Sequence, residues 1–230
     1  MQSAEVVNGS IQTSDWVLIG TALFLGAVAL FVPYLAEIIK RKFFAPDLKI
    51  NFELNPPGCH KTRFGRGDSV YYFRFKVINS GKSQAKRCEA VVEKIYKADA
   101  AGKFHQIKYT PINLIWGSSY GEYVDINPDR TFYCDLFNIP AKEFQEWRIN
   151  KNAYINPLDT EPFDLGLILD VKAAFYSQPN RLPSGKYQIE IGIYSENNKT
   201  IRQVFQISWS GQWRETQEEM FKEAVVECLP

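Results

Sequence analysis

The sequence predicts a mainly β protein: an antiparallel β-sandwich preceded by one transmembrane helix and followed by a short C-terminal helix. Three patterns support this fold class. Residues 16–36 carry no charge, apolar side chains alternate with polar ones in many segments after Leu48, and apolar side chains near the C-terminus recur at helical spacing. A period of two is typical of strands with one buried face, and a period near 3.6 is typical of a helix.

Length and composition exclude several classes of protein. The chain has 230 residues, a formal net charge of +1 and 45% hydrophobic residues. This length suits one ordinary domain with extra segments, and the composition favours neither a multi-pass membrane protein nor a disordered chain. A net charge near zero argues against nucleic acid as a partner, because nucleic-acid binding needs a strong basic field.

Residues 16–39 are predicted to form a transmembrane helix. About 20 consecutive apolar residues are needed to span the hydrocarbon core of a bilayer. Trp16 and Tyr34 lie near the two ends of the segment, where aromatic rings favour the membrane interface. A cleaved signal peptide would need a basic region before it and a shorter apolar core, and the sequence has neither. We therefore expect a retained anchor, with the lipid bilayer as the partner of residues 16–39.

The charges that flank this segment predict its orientation. Lys40, Arg41 and Lys42 follow it, whereas no Lys or Arg precedes it. Because basic residues stay on the cytoplasmic side, we expect a single-pass plasma-membrane protein with its N-terminus outside and its C-terminal domain in the cytoplasm. In that compartment the four cysteines remain reduced, and Cys88 and Cys134, which lie in strand patterns, are expected to be buried apolar groups.

Strand-like alternation recurs through the rest of the chain. Turn signals such as Asn79-Ser80-Gly81 and Asn127-Pro128-Asp129 separate the alternating runs. No alternating strand–helix pattern and no glycine-rich phosphate loop occurs, which disfavours a nucleotide-binding α/β fold. The apolar members of the runs are Leu48, Ile50, Phe52 and Leu54; Tyr71, Phe73, Phe75 and Val77; Phe132, Cys134 and Leu136; Phe163, Leu165, Leu167, Leu169 and Val171; Tyr187, Ile189, Ile191 and Ile193; and Phe205, Ile207 and Trp209.

The same patterns set the domain boundaries. Thr216 and Glu219 have the spacing of a capping box, so a C-terminal amphipathic helix is predicted, and we favour its docking on its own sandwich over its binding a partner. Glu143, Phe144 and Trp147 mark a short helix within an insertion.

In chain order the predicted parts are an N-terminal segment at 1–15, the transmembrane helix at 16–39, a basic juxtamembrane linker at 40–47, the sandwich at 48–212 with its insertion near 139–161, and the C-terminal helix at 213–230.

Two local motifs resemble those of a known superfold. Val77–Gly81, followed by Ala85 and a further strand, resembles the strand–turn–strand of bacterial cell-adhesion-related immunoglobulin-like modules, in which Asn and Gly tolerate the positive φ of a tight turn. Leu182–Tyr187 resembles a tyrosine corner, in which a Tyr hydroxyl bonds back to the chain. The resemblance implies an immunoglobulin-like sandwich over about residues 45–210, and it implies nothing about function.

One loop contains the candidate binding residues. Trp116, Tyr120 and Tyr123 lie on a glycine-rich stretch, where aromatic rings offer flat surface to a ligand or a protein partner. The competing interpretation, which we favour, places Trp116 in the core and the tyrosines over the edge of the sandwich.

The sequence predicts no catalytic residues, no metal site and no cofactor. Cys59 and His60 are neighbours, but adjacent residues on a strand point to opposite faces. Asp125, Asp129 and Asp135 flank a turn, where solvated acids are far commoner than catalytic or calcium-binding ones. We therefore expect a membrane-anchored, non-catalytic interaction or scaffold protein that binds a protein partner. The alternative is a membrane-tethered module that binds or senses a small ligand or sugar.

Overall fold

A computed structural model of the protein describes residues 13–63, 68–117, 121, 123–150, 165–172 and 179–230, with side chains for all of these except 13–15, 40–42 and 147–150. Several predictions therefore lie outside the described residues: Tyr120, segment 1–12, the insertion beyond residue 150, and the side chains of Lys40, Arg41 and Lys42. The chain divides into two compact units, residues 1–44 and residues 45–230.

The first unit contains one long helix, α1, at Thr13–Phe43. Its segment Trp16–Ile39 has a mean hydropathy of 2.2, and all of its side chains are exposed. At 1.5 Å per residue this segment is about 36 Å long, against a hydrocarbon core of roughly 30 Å. The predicted apolar helix is confirmed, and it is long and apolar enough to cross a membrane.

The helix continues into the segment predicted as a basic linker at 40–47. Its backbone is helical to Phe43, and the first strand begins at Leu48. Lys and Arg are good helix formers, and the first proline after this basic segment is Pro46, so the helix ends shortly before that residue.

Among its described residues, the second unit contains strands of 2 to 14 residues and two short helices. The helices are α2 at Lys142–Asn150 and α3 at Gln217–Glu223. The strands are β1 Leu48–Asn51, β2 Cys59–Arg63, β3 Ser69–Asn79, β4 Ala85–Ala98, β5 Phe104–Gln106, β6 Ile112–Asn113, β7 Val124–Ile126, β8 Thr131–Pro140, β9 Leu167–Leu169, β10 Arg181–Leu182, β11 Gly185–Tyr194, β12 Ile201–Trp209 and β13 Ala224–Leu229.

Among the described residues these strands form two antiparallel sheets. The first sheet has six strands in the order β1-β3-β8-β9-β10, with β2 also paired to β3. The second has seven strands in the order β13-β12-β11-β4-β5, with β6 and β7 also paired to β4. The predicted fold class is confirmed: the chain is mainly β, with two antiparallel sheets, an N-terminal apolar helix and a short C-terminal helix.

The alternating apolar residues form one core between the two sheets. Along β3 the side chains of Tyr71, Phe73, Phe75 and Val77 are all fully buried, while the residues between them are partly exposed. The ring of Phe75 in the first sheet lies 5.3 Å from the ring of Phe205 in the second. Burial of this apolar surface is the main stabilising contribution to such a sandwich.

Three runs of alternating residues depart from regular strands. The run that ends at Val171 forms a strand only over Leu167–Leu169, and its Phe163 lies outside the described residues. β1 ends at Asn51, so Phe52 and Leu54 lie beyond it, although both still pack on the core. Pro56 and Pro57 follow, and proline lacks the N–H that a ladder requires. In β8 a bulge interrupts the pairing with β3 between Phe73 and Arg74, so the consecutive residues Leu136 and Phe137 are both buried.

The side chain of Asn79, at the end of β3, joins four segments of chain. Its Oδ1 accepts hydrogen bonds from the backbone N–H groups of Asp47 and Gly81, at 3.1 and 3.0 Å. Its Nδ2 donates to the carbonyls of Ser83 and Ile126, at 2.7 and 2.8 Å. The residue is fully buried, so these bonds replace those that water would supply.

The predicted reason for Gly81 in this turn is wrong. Neither Asn79 nor Gly81 has a positive φ. Instead, a Cβ on Gly81 would lie 2.3 Å from the backbone nitrogen of Asp47 and 2.5 Å from the carbonyl oxygen of Ala45. Glycine is needed here because two backbones approach closely, not because of a left-handed conformation.

The C-terminal segment is only partly helical. Thr216 caps α3 as predicted: its Oγ1 accepts from the backbone N–H of Glu219, and its hydroxyl donates to the carboxylate of Glu219 at 2.7 Å. Helix α3 lies on its own sandwich, with Met220 fully buried in the core. The prediction of a helix to the end of the chain is wrong, because residues 224–229 form the edge strand β13 along β12. Pairing with an available strand edge here overrides local helical spacing.

Two other local predictions are confirmed. The Tyr187 hydroxyl donates to the carbonyl of Pro183 at 3.0 Å, which is the hydrogen bond expected of a tyrosine corner. The short helix predicted around Glu143 and Phe144 is α2, and Gln145 on this helix is buried. The Gln145 side chain exchanges two hydrogen bonds with the backbone of Gly166 and accepts a third from Nε of Arg181.

We expect Asn79→Ala to lower the free energy of unfolding by about 3 kcal/mol or more, because it leaves several buried backbone groups without partners. Urea denaturation of the full chain measures this change. Asn51→Ala is the matched control, since Asn51 is exposed and its side chain donates to Glu53 at 3.2 Å. Equal effects of the two substitutions would contradict the role assigned to Asn79.

Candidate functional site

An open groove of about 460 Å³ lies on the second unit. One wall comes from the turn between β7 and β8 and from the start of β8, and another comes from Arg74 on β3. The groove is lined by Pro57, Arg74, Gly117, Asp125, Asn127, Arg130, Thr131, Phe132 and Tyr133. Its volume lies within the range of about 300–1,000 Å³ that is usual for small-molecule sites.

Arg74 is held in place by two neighbours. Its Nε donates to Oδ1 of Asp135, and its guanidinium carbon lies 4.7 Å from the centre of the Tyr72 ring. Asp135 is buried, and burial raises the pKa of its carboxyl group, although the charge of Arg74 acts in the opposite direction. Because Asp135 is shielded from water, the guanidinium group of Arg74 supplies the positive charge that stabilises its carboxylate.

The bulge in β8 is what brings these two side chains together. Phe73 pairs with Phe137, but the next residue, Arg74, pairs with Asp135 rather than with Leu136. Bulges commonly redirect a side chain in this way. Without the extra residue the regular register would oppose Arg74 to a buried leucine.

The opposite wall is positioned by the backbone of Asn79. Its N–H donates to the carbonyl of Arg130 at 3.1 Å, and its carbonyl accepts from the N–H of Asp129 at 2.8 Å. Asp129 has a φ of 57°, a left-handed conformation that Asp tolerates better than most residues. The turn that carries Asn127 and Arg130 is thus fixed to the end of β3.

The predicted aromatic loop divides between the core and the surface. Trp116 is 1% exposed and pairs with Cys134 through an isolated bridge, so it belongs to the core, as the competing interpretation held, and offers no surface to a ligand. The next residue, Gly117, does line the groove, and a Cβ there would lie 2.9 Å from Oδ1 of Asp135. Tyr120 lies outside the described residues.

Tyr123 lies in a second, smaller hollow. The guanidinium carbon of Arg87 lies 4.2 Å above the centre of its ring, and Nε of Arg87 lies 3.0 Å from the carboxylate of Glu196. Arg87 has a φ of 48°, which is uncommon for a residue other than glycine. This hollow of about 290 Å³ is lined by Arg87, Glu89, Tyr123, Tyr194, Ser195 and Glu196.

Sequence reasoning missed the two arginines of the groove. Arg74 occupies an outward position of β3, and nothing local distinguishes it from the neighbouring outward residue Lys76. Its partner Asp135 is 61 positions away in the chain. The only available signal was the acidic cluster around the Pro128 turn. Within that cluster, Asp125 lines the groove and Asp135 orients Arg74.

The cysteines and histidines are not gathered into a site. Cys59 is fully buried, whereas His60 lies on the opposite face of β2 with its Nδ1 3.1 Å from the carbonyl oxygen of Pro57. All four cysteines are free thiols. Among the described residues no three His, Cys, Asp or Glu side chains are close enough together to hold a metal ion.

Comparison with known proteins gives no family for this chain: no protein-family model and no curated protein matches it. Among solved structures, one from Bordetella pertussis with the provisional name ApaA is 10% identical, with a TM-score of 0.28 over 69% of this chain and 87% of that one. A second structural-genomics target is 14% identical, with a TM-score of 0.28 over 75% of this chain and 92% of that one. Because these TM-scores are low, we draw no conclusion about this chain from either resemblance.

We expect iodoacetamide at neutral pH to modify Cys228 much faster than the other three cysteines. Cys228 is exposed, whereas Cys59, Cys88 and Cys134 are fully buried. Burial also raises the pKa of Cys59 to about 11 and that of Cys88 to about 12, so almost no reactive thiolate forms at these positions.

Mass spectrometry of the labelled protein measures this difference. Denaturant is the control and should make all four thiols reactive. Rapid labelling of Cys59 or Cys88 in the folded protein would contradict the described core.

Proposed function

We propose that this protein is a single-pass, membrane-anchored, non-catalytic interaction protein that presents its β-sandwich to a protein partner. The observation that carries the proposal is the helix. From Trp16 to Ile39 every side chain is exposed, although the segment has a mean hydropathy of 2.2. Water is a poor solvent for so large an apolar surface, and a lipid bilayer is a good one.

Charges and aromatic residues support a specific placement. Trp16 and Tyr34 are 61% and 64% exposed, as residues that contact lipid headgroups should be. The basic sequence Lys40-Arg41-Lys42 follows the apolar segment. We therefore place the N-terminus outside the plasma membrane and the sandwich in the cytoplasm, where a tethered domain meets membrane-bound partners at raised effective concentration.

The immunoglobulin-like character of the sandwich is part of this proposal. The hydrogen bond from Tyr187 to Pro183 supports it, as do the two antiparallel sheets around one core. Immunoglobulin-like sandwiches commonly bind partners through the loops at their ends. The groove lies beside one such turn, between β7 and β8, and is the surface we assign to recognition.

A second candidate function is the binding or sensing of a small ligand or sugar. The volume of the groove, about 460 Å³, favours it, because a pocket of this size accommodates a small molecule. In either case no catalytic residue is assigned.

We expect the full chain to remain in the membrane pellet after alkaline carbonate extraction. Leu25→Arg combined with Val28→Arg should release it or prevent its insertion, since a charged residue at the centre of a membrane helix costs about 2.5–3.5 kcal/mol. Immunoblotting of pellet and supernatant measures the result. Leu25→Ile with Val28→Leu is the conservative control, and complete extraction of the unaltered chain would exclude an integral anchor.

The exposed thiol of Cys228 reports on which side of the membrane the sandwich lies. We expect a membrane-impermeant maleimide to leave Cys228 unmodified in intact cells and to modify it after permeabilisation, because the proposed location is cytoplasmic. A Cys228→Ser variant supplies the background signal. Modification in intact cells would reverse the proposed topology.

A photocrosslinking amino acid at Thr131, in the groove, should give one reproducible crosslinked protein in native membranes. The same amino acid at Ala100, in the turn between β4 and β5, should not, because this exposed position lies outside the groove. Gel electrophoresis and mass spectrometry identify the products. Identical products at both positions, or none at either, would contradict recognition of a protein through the groove.

A further inference from the structure

We propose that the groove binds an oxyanion, a carboxylate or a phosphate, held by the guanidinium groups of Arg74 and Arg130. The inference rests on the proposed function, and it names the chemical group that the groove recognises. The lining includes two guanidinium groups and, among the described lining residues, one carboxylate, Asp125. An anion is favoured because the acceptors at the groove already have partners within the described part of the protein, whereas several donors do not.

The carboxylates of Asp125, Asp135 and Glu53, at or beside the groove, each have a partner within the protein. Asp125 Oδ1 accepts from the backbone N–H of Arg87 at 2.8 Å. Asp135, which lies behind Arg74, accepts from the Nε of Arg74. Glu53 lies in a small hollow that shares Arg74 and Tyr133 with the groove, and it forms an ion pair with Lys76 at 2.5 Å. Because these acceptors are partly or wholly occupied, the groove has little to offer a cation.

The donors of the groove are less occupied than its acceptors. Arg74 uses its Nε for Asp135, and within the described part of the chain no hydrogen bond engages its terminal amino groups. The side chain of Arg130 is exposed and makes no ion pair with any described residue. Asn127 accepts from Gln84 through Oδ1, at 2.9 Å, which leaves its amide N–H₂ group as a donor. A ligand that satisfies this set must be rich in acceptors.

Arg74 is also pre-organised for such a ligand. Asp135 accepts a hydrogen bond from Nε, and the guanidinium carbon lies 4.7 Å over the centre of the Tyr72 ring, so little side-chain entropy remains to be lost on binding. The edge formed by its two terminal amino groups has the planar fork geometry that matches a carboxylate or a phosphate bidentately. Arg130 is exposed and adds a second charge from the opposite wall.

Binding measurements on the full chain test this proposal. The chain is placed in phosphatidylcholine nanodiscs, whose zwitterionic lipid adds no net negative charge, and calorimetric titrations use three probes: inorganic phosphate, a capped tetraglutamate peptide and a capped tetraglutamine peptide. Arg130→Gln should weaken oxyanion binding about tenfold or more, because a hydrogen bond to a charged group is lost. Lys103→Gln removes the same charge from an exposed turn outside the groove and should leave binding unchanged.

Two further variants separate recognition from folding. Arg74→Gln should also weaken binding, and a thermal melt of the same sample shows whether the protein remains folded. Arg74→Lys keeps the charge but loses the planar fork, so it should bind less tightly than the unaltered chain. Arg130 is exposed, so its substitution tests the site even if a change at Arg74 destabilises the fold.

The possible results each decide the question. If phosphate binds and this binding depends on Arg130, the ligand is a free oxyanion. If only tetraglutamate binds, the ligand is a carboxylate in an acidic segment of a protein partner. The proposal is overturned if neither probe binds, if tetraglutamine binds as well as tetraglutamate, or if Lys103→Gln weakens binding as much as Arg130→Gln. If no probe binds but Thr131 still gives its crosslinked partner, the oxyanion inference fails and the proposed function stands.

Discussion

The buried side chain of Asn79 is the interaction on which the second unit most depends. It holds the end of β3, the chain entering β1, the following turn and the end of β7 through four hydrogen bonds. Its backbone adds bonds to Asp129 and Arg130. Every donor and acceptor of this residue therefore has a use, and a buried polar group in such a position specifies one arrangement of the chain rather than several.

The same residue connects the fold to the groove. Because the turn that carries Asn127 and Arg130 is bonded to Asn79, the wall of the groove is fixed relative to β3 and hence to Arg74. Gly81, which approaches the backbone of Asp47 closely, packs the turn after β3 against the chain entering β1. A site supported by regular strands is held more firmly than one that depends on loops alone.

On the outer face of the first sheet, charged side chains form ion pairs within the protein, and some of them keep further hydrogen-bond donors available. Lys76 pairs with Glu53, and Arg74 pairs with the buried Asp135. Exposed pairs such as the first add little stability. The second is different, because burial raises the pKa of Asp135 and makes its partner necessary. An arginine kept in place by a structural pair remains able to serve a ligand with its other nitrogens.

The sequence by itself determined the features that depend on residues close together along the chain. The uncharged run from Trp16, the alternation along β3, the capping box at Thr216 and the hydrogen bond of Tyr187 were all predictable, since periodicity, capping and turn chemistry are local. The tertiary structure alone decided the bulge in β8, the pairing of Arg74 with Asp135 across 61 positions, and the strand at 224–229 in place of a helix. These depend on which strand edge is available and on register, and contacts between distant segments leave no pattern in a single sequence.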